Sequence, residues 1–362
     1  MIHLIGAELS KLFHKKIVLA GLILFMLLGY MMYNGWLQKD NNIVLNEDNV
    51  YVEGEEAIAL DQEIASRYEG KLTDEKVKQI VEDFELPDGF NGTDYPTGYI
   101  SRNNMYGSVS AFHDEWGNYN GKTLTQVYGS EGSNMEAAYN KSWINGIYYL
   151  MYLFMLGVAY LLIVVASPAF SDEYGSGMDA LILTSRYGKN RCAWAKVIAV
   201  FLFTMILNTV FLLINIVLFL VNYGLDGKNG SIQFNELGFF AGIPYEIHNA
   251  QAGIYAILLW FGATLFVVGV SLLISAYCKS SFVSLILCAL FYTVPMAFNG
   301  QGQIQCMLLS LFPVQQIQLM APFSVKPFGP VPFQLIVFCV MLAGGMFCGI
   351  FAKRGFAGHQ SS

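Results

Sequence analysis

Residues 197–221 have the sequence VIAVFLFTMILNTVFLLINIVLFLV, a run without a single charged side chain. A helix of about 20 apolar residues is long enough to cross the hydrocarbon core of a bilayer, which is roughly 30 Å thick. The stretch therefore predicts a membrane-spanning helix. It indicates the fold class of an α-helical integral membrane protein.

Five further stretches have the same character, so we predict six transmembrane helices. The stretch after Lys15 and Lys16 lacks a small-residue cleavage site, and we expect it to remain as an anchor rather than be removed as a signal peptide. The predicted spans are residues 17–35, 143–167, 197–221, 252–276, 282–298 and 333–351.

The composition supports a membrane protein and divides the chain in two. Of its 362 residues, 55% are apolar and only 13% are charged, with a mean hydropathy of +0.46, whereas soluble chains carry roughly 25% charged residues. Residues 37–143 hold 20 of the 27 acids and 8 of the 20 bases, a net charge of −12, which leaves +5 for the remainder. This acidic balance speaks against nucleic acid as a partner.

The distribution of lysine and arginine predicts the orientation. Ten of these residues lie in short flanks on the side of the N-terminus, and only Lys228 and Lys326 lie in short loops on the opposite side. Because positive flanks stay in the cytoplasm, we expect both termini to be cytoplasmic, including the tail 353–362, and residues 36–142 to form a large α-containing extracytoplasmic domain. That domain has no cysteine and hence no disulfide framework, so we favour the bacterial plasma membrane as the location of this multi-pass protein.

Within the outer domain, residues 55–86 predict two helices, the second capped by Thr73. Residues 87–132 are rich in glycine, asparagine and aromatic residues. We expect these aromatics to pack the domain, and a ligand-binding cleft remains the alternative.

The sequence lacks the combinations of residues that are typical of catalytic sites. The five histidines are isolated, which argues against a zinc site, and GNYNGKT at 117–123 has three residues between its glycines where a phosphate loop needs four. We therefore expect no catalytic residue, no metal site and no enzyme activity in this chain. The predicted spans contain no Asp, Glu, Lys, Arg or His, which disfavours proton-coupled pumps, many ion-coupled carriers and voltage sensors.

Two neutral polar residues in the third span are candidates for function. Asn208 and Asn215 are seven residues apart and share a helix face. They either join helices by hydrogen bonds or line a translocation path, and we favour the first. Gly345 and Gly349 form a small-residue pair in the last span, for which helix packing is again the favoured interpretation.

The segments ELSKLFHKK (8–16) and FSDEYGSGMDALILTSRYGKNRCAWAK (170–196) resemble those of the membrane subunit of a type-2 ABC exporter. The resemblance implies an amphipathic connecting helix at 1–16, a coupling loop at 168–196 and an outer re-entrant segment at 299–332 within the five-helix remainder, 143–352. The connecting helix would include Glu8, Lys11 and Leu12. The residues implied to contact the ATPase are Asp172, Glu173, Tyr174, Gly177, Leu181 and Arg186.

This resemblance implies a permease that works with a second permease, identical or related, and with two copies of a separate ATPase that bind ATP and magnesium. The chain itself would bind no cofactor, and its substrate would be a peptide, for example an antimicrobial peptide, a drug or a lipid. Two alternatives stay open: a peptide-sensing or resistance module that works with an ATPase without net transport, and a membrane-anchored scaffold protein.

Overall fold

The computed structural model describes residues 1–33, 42–45, 50–84, 102–114, 117–153, 157–185, 188–235, 240, 242–316 and 320–358. The chain is mostly helical, at 74%. Its α-helices are α1 (Ile2–His14), α2 (Lys16–Tyr33), α3 (Gly54–Tyr68), α4 (Asp74–Asp83), α5 (Asn104–Ser108), α6 (Leu124–Tyr128), α7 (Lys141–Leu153), α8 (Ala159–Ala166), α9 (Pro168–Gly175), α10 (Met178–Thr184), α11 (Ala193–Tyr223), α12 (Asn249–Tyr277), α13 (Ser281–Thr293), α14 (Gln303–Leu309), α15 (Met320–Phe323) and α16 (Phe333–Gly358).

The chain folds into two compact units. The first, which we call the helical unit, contains Met1–Tyr30, Leu150–Asn215 and Tyr255–Ser362. The second, which we call the mixed unit, contains Met31–Tyr149 and Ile216–Ile254.

Three helices in the described part of the chain are long and apolar enough to cross a membrane. They are α11 with the turn before it (Asn190–Tyr223), α12 (Asn249–Tyr277) and α16 (Phe333–Gly358). They correspond to the third, fourth and sixth predicted spans, and they confirm the coarse prediction of an α-helical membrane protein.

The other three predicted spans have a different form. Helices α1 and α2 meet the same criteria only as a pair, bent by 56°; the bend falls at Lys15, whose extended backbone interrupts the helix. The fifth span corresponds to a shorter apolar helix, Ser281–Ala297. The second corresponds to α7 and α8, which flank residues 154–156, outside the described residues. The number of six spans therefore stays a prediction.

Glycines set the closest approach of helices in the helical unit. A Cβ atom on Gly269 of α12 would lie 2.3 Å from the carbonyl oxygen of Gly345 on α16, and one on Gly349 would lie 2.8 Å from the ring of Phe201 on α11. The glycines let α12 and α16 pack backbone to backbone, and Gly349 makes room for the Phe201 ring of α11. The packing interpretation of Gly345 and Gly349 is thus confirmed.

The segment expected to be re-entrant, 299–332, contains short helices in its described part. Helix α14 ends at Leu309, and Pro313 begins a 3-10 turn that ends at Gln316. The amide of the buried Gln315 side chain donates a 2.9 Å hydrogen bond to the carbonyl oxygen of Phe298. The turn is thus hydrogen-bonded to the chain just before α14.

The mixed unit combines short helices with two pairs of antiparallel strands. Strand β1 (Ile43–Leu45) pairs with β2 (Tyr51–Glu53), and β3 (Gly70–Lys71) pairs with β4 (Glu136–Ala137). Helices α3 and α4 confirm the two helices expected after residue 55, and the Thr73 hydroxyl accepts a 3.1 Å hydrogen bond from the Lys76 N–H as the predicted cap.

The aromatic residues of the mixed unit pack its core. Tyr106 and Phe112 are almost completely buried, and the Tyr106 ring lies 4.2 Å from the imidazole of His113. This agrees with the packing interpretation for these residues, whereas Tyr95, Tyr99 and Trp116 lie outside the described residues.

The loop between α11 and α12 belongs to the mixed unit. The predicted outer domain, residues 36–142, did not include it. Asn140 is completely buried, and its side-chain amide donates hydrogen bonds to the carbonyl oxygens of Ser231, at 3.2 Å, and of Phe234. Its side-chain oxygen accepts a hydrogen bond from Asn249, which also donates to the Gly227 carbonyl oxygen at 2.8 Å. Two distant parts of the chain therefore share one polar core.

Candidate functional site

The candidate site lies in the helical unit, where a bend between two short helices carries most of the predicted residues. Helix α9 begins at Pro168, a residue suited to the first turn of a helix, and ends at Gly175, and α10 begins after Gly177. Gly177 has a φ angle of 68°, in the left-handed region, and a Cβ there would meet no atom within 4 Å. Its backbone conformation, rather than lack of space, therefore favours glycine at this position. We call residues 168–184 the α9–α10 segment.

An ion pair joins this segment to the start of α11. The Lys196 ammonium donates a hydrogen bond to the Glu173 carboxylate and another, of 2.8 Å, to the Ala169 carbonyl oxygen. It also lies 5.7 Å from the centre of the Phe170 ring. The exposed fractions of the two charged side chains are 13% and 18%, so the pair is largely removed from water. The geometry gives Glu173 a structural partner within the chain.

Serine hydroxyls join α9 to α12 and α13. The Ser275 hydroxyl accepts hydrogen bonds from the backbone N–H groups of Phe170 and Ser171, at 2.9 and 3.1 Å. The Ser281 hydroxyl donates to the Asp172 carboxylate, and the Ser284 hydroxyl donates to the Ser167 carbonyl oxygen at 2.8 Å. A displacement of α9 would therefore act directly on two further helices.

Tyr174 also faces the interior of this unit. Its hydroxyl donates a 2.9 Å hydrogen bond to the Ala276 carbonyl oxygen, and its ring lies 5.7 Å from that of Phe356. Burial raises the pKa of this phenol above its usual value. Tyr174 thus has packing and hydrogen-bond contacts within the chain.

Helix α10 presents apolar side chains at its surface. Leu181 is 65% exposed and Met178 is 45% exposed, whereas Asp179 is buried. These two exposed apolar side chains are available for contact with another molecule. Arg186, the last residue predicted for this surface, lies outside the described residues.

The predicted connecting helix, α1, borders the same region. Glu8 pairs with Lys11 at 2.7 Å, a hydrogen bond that raises the pKa of Lys11. Leu12 is buried, and the Phe13 ring lies 4.9 Å from that of Phe203 on α11. The apolar contacts of α1 thus hold it against α11.

A cavity of about 190 Å³ lies among α1, α9 and α11. It brings together two groups of residues that the sequence predicted separately: those of the connecting helix and those at the start of the coupling loop. The six ionisable residues that line it are Glu8, Lys11, Lys15, Asp172, Glu173 and Lys196.

The sequence pattern does not identify every residue of this site. Ser275 and Ser281 lie in or beside predicted spans, where a serine is an unremarkable residue. Lys15 could be read only as part of the positive flank of the first span. The bend at Lys15 between α1 and α2 brings this lysine to the cavity wall, and the sequence pattern did not predict that bend.

The two asparagines of the third predicted span have different partners. The Asn208 side chain is buried and donates a 2.7 Å hydrogen bond to the Thr264 hydroxyl on α12. The Asn215 side chain donates a 2.7 Å hydrogen bond to the Phe211 carbonyl oxygen of its own helix. Among the described contacts, Asn208 therefore joins two helices and Asn215 does not.

We expect Asn208→Leu and Thr264→Val to show a coupling energy of about 0.6 kcal/mol in a double-mutant cycle of the unfolding free energy, since one interhelical hydrogen bond joins them. Unfolding of the purified chain in mixed micelles measures this energy. Asn215→Leu is the matched control, because its amide bonds within α11, and it should not couple to Thr264→Val. A coupling of zero for Asn208 would refute a role in joining the helices.

In the described part of the chain, no three histidine, cysteine or acidic residues are placed to hold a metal ion. No family model, curated protein or solved structure matches the chain. The functional argument therefore rests on the geometry of the site.

Proposed function

We propose that the chain is the permease subunit of an ATP-driven exporter of the type-2 ABC class, located in the plasma membrane of a bacterium. In this proposal the chain has six spans and cytoplasmic termini, and it associates with a second permease, identical or related. Two copies of a separate ATPase bind ATP and magnesium, and the chain itself carries no enzyme activity. The substrate is a peptide, a drug or a lipid.

The observation that carries the proposal is the construction of the α9–α10 segment. Its apolar tip, with Leu181, is exposed, whereas its base is held by the Glu173–Lys196 ion pair and by the serine contacts to α12 and α13. An exposed tip on a rigid base suits a lever that receives a force from a partner and passes it to membrane helices. Helix α1 borders the same region, as expected for a connecting helix.

In this mechanism the ATPase subunits close on ATP and displace the tip of each α9–α10 segment. Because the Ser275 hydroxyl holds the N–H groups of Phe170 and Ser171, the movement is passed to α12, and Ser284 passes it to α13. The two permeases then rearrange around a shared path, and the substrate leaves on the side of the acidic domain.

We expect the tagged full chain, purified from its native host in mild detergent, to retain an ABC-type ATPase, and Leu181→Glu to reduce the retained amount at least about tenfold. A carboxylate at this exposed apolar position would be desolvated without a partner when the ATPase docks. Quantitative mass spectrometry of the eluate measures the ratio of ATPase to permease.

Leu225→Glu is the matched control. Leu225 is also an exposed leucine, at 55%, but it lies in the loop after α11, on the proposed opposite side of the membrane. This variant should retain the ATPase at the wild-type level. Absence of any ATPase from the wild-type eluate, or equal loss in both variants, would count against the proposal.

A further inference from the structure

The charges around the cavity are not all neutralised within the chain. Lys11 pairs with Glu8, and Lys196 pairs with Glu173. The Lys15 ammonium lines the same cavity, and it makes no hydrogen bond or ion pair at contact distance with any described residue. Burial lowers the pKa of Lys15, and the negative charge of Asp172, which is too distant for an ion pair, offsets this effect only in part.

The remaining charged residue of the cavity has the opposite sign. Asp172 accepts a hydrogen bond from the neutral Ser281 hydroxyl, and no described cation contacts it. The cavity therefore holds one cation, Lys15, and one anion, Asp172, that attract each other but are not in contact, next to two internal ion pairs. Such a site matches a ligand that carries both a negative and a positive group.

We propose that this cavity binds the phosphoethanolamine group of a phospholipid, with the phosphate at Lys15 and the ammonium at Asp172. A phosphate in contact with Lys15 supplies the hydrogen-bonded counter-ion that the chain lacks at contact distance, and a primary ammonium donates hydrogen bonds to a carboxylate. The cavity volume of about 190 Å³ equals that of roughly six water molecules in the liquid, enough for this small group.

The position of Lys15 favours a lipid over a soluble phosphoester as the source of this group. Helix α2 begins at the next residue, and its apolar side chains Ile17 and Leu19 are exposed. Acyl chains attached to a headgroup in the cavity could therefore run along α2.

Native mass spectrometry of the purified full chain tests this inference. The chain is exchanged into micelles that contain equal amounts of phosphatidylethanolamine, phosphatidylcholine and phosphatidylglycerol with the same acyl chains. We expect phosphatidylethanolamine to be retained several-fold over phosphatidylcholine, because the methylated ammonium of choline cannot donate hydrogen bonds to Asp172.

Substitutions assign the binding to the two unpaired charges. Lys15→Gln should reduce retained phosphatidylethanolamine about tenfold, and Lys15→Arg, which keeps the charge, should retain it. Lys16→Gln is the matched control, because Lys16 is exposed and does not line the cavity. Asp172→Asn should remove the preference over phosphatidylcholine while phosphatidylglycerol still binds.

Competition with free phosphoethanolamine distinguishes a lipid from a soluble phosphoester as the source of the bound group. If millimolar amounts displace the lipid, the headgroup alone is sufficient for binding; if they do not, the acyl chains along α2 are required. Equal retention of the three lipids, or equal retention by the wild type and Lys15→Gln, would overturn the inference. The chain is used without an ATPase, so this result is independent of the proposed export function.

Discussion

Glu173→Gln is expected to lower the free energy of unfolding by about 2–3 kcal/mol. The substitution leaves the Lys196 ammonium, of which 13% is exposed, without a negative partner. Removing one member of a buried ion pair costs about 3–5 kcal/mol, and residual contact with water reduces this figure. For 362 residues, the thermal unfolding midpoint of the full chain in detergent should fall by roughly 3–4 °C.

A second substitution separates the unpaired charge from a loss of packing. Lys196→Met added to Glu173→Gln removes the isolated cation, so the double variant should recover most of the lost stability. Glu63→Gln serves as the matched control, since Glu63 forms an exposed pair with Arg67 at 3.0 Å and should cost less than about 1 kcal/mol. If Glu173→Gln and Glu63→Gln had equal effects, the buried pair would not stabilise the base of the α9–α10 segment.

The stability that the ion pair provides and its part in the proposed lever can be tested separately. The double variant Glu173→Lys with Lys196→Glu exchanges the two charges. It tests whether the pair acts only through its geometry. If its stability approaches that of the wild type and ATPase retention is unchanged, the pair acts as a positioning element, because neither charge is then needed at a particular position.

Asn140→Ala is expected to destabilise the mixed unit by about 3 kcal/mol. The side chain is completely buried and makes three hydrogen bonds, to the carbonyl oxygens of Ser231 and Phe234 and to the Asn249 amide. The substitution leaves these groups without that partner, and each buried unsatisfied group costs about 1–3 kcal/mol. Asn249 keeps its bond to Gly227, which limits the total.

Limited proteolysis of the full chain measures this effect. Lys228 lies in the loop that Asn140 holds, so trypsin should cleave after Lys228 roughly 100-fold faster in the variant, as the open form becomes more populated. Asn229→Ala is the matched control, because Asn229 lies in the same loop but is exposed. A cleavage rate within twofold of the wild type for Asn140→Ala would contradict the role of Asn140 as the link between the two chain segments.

The sequence predicted those features of the fold that depend on composition or on residues close together in the chain. The uncharged stretches at 197–221, 252–276 and 333–351 have a length that only a membrane-spanning helix uses, and the structure has long apolar helices at all three. The capped helix after Thr73 was predictable for a similar reason, because a helix cap involves residues only three positions apart.

The loop between α11 and α12 was not predictable in the same way. Its membership of the mixed unit depends on hydrogen bonds between Asn140 and Ser231, which are 91 positions apart in the chain. An asparagine or serine in a glycine-rich loop has no periodicity that would reveal such a partner. Composition could therefore identify the acidic segment but not the second segment that completes its core.

At the candidate site, the sequence identified several of the residues but not their contacts. Glu8 and Lys11 were assigned to one segment, and Asp172 and Glu173 to another, by resemblance. Only the folded chain brings these four residues to one cavity and adds Lys15 to it. The pairing of Glu173 with Lys196 and of Asp172 with Ser281 also depends on the arrangement of α9 against α11 and α13.

A helical membrane protein can be predicted from the amino-acid sequence, because the required span length and lack of charge follow from the thickness and low polarity of a bilayer. Which charges are paired depends instead on the tertiary fold. Lys11 and Lys196 find carboxylates, whereas Lys15 and Asp172 face one cavity without a partner of opposite charge at contact distance. Electrostatic pairing depends on distances of a few ångströms between residues far apart in the chain, and only the packing of helices sets those distances.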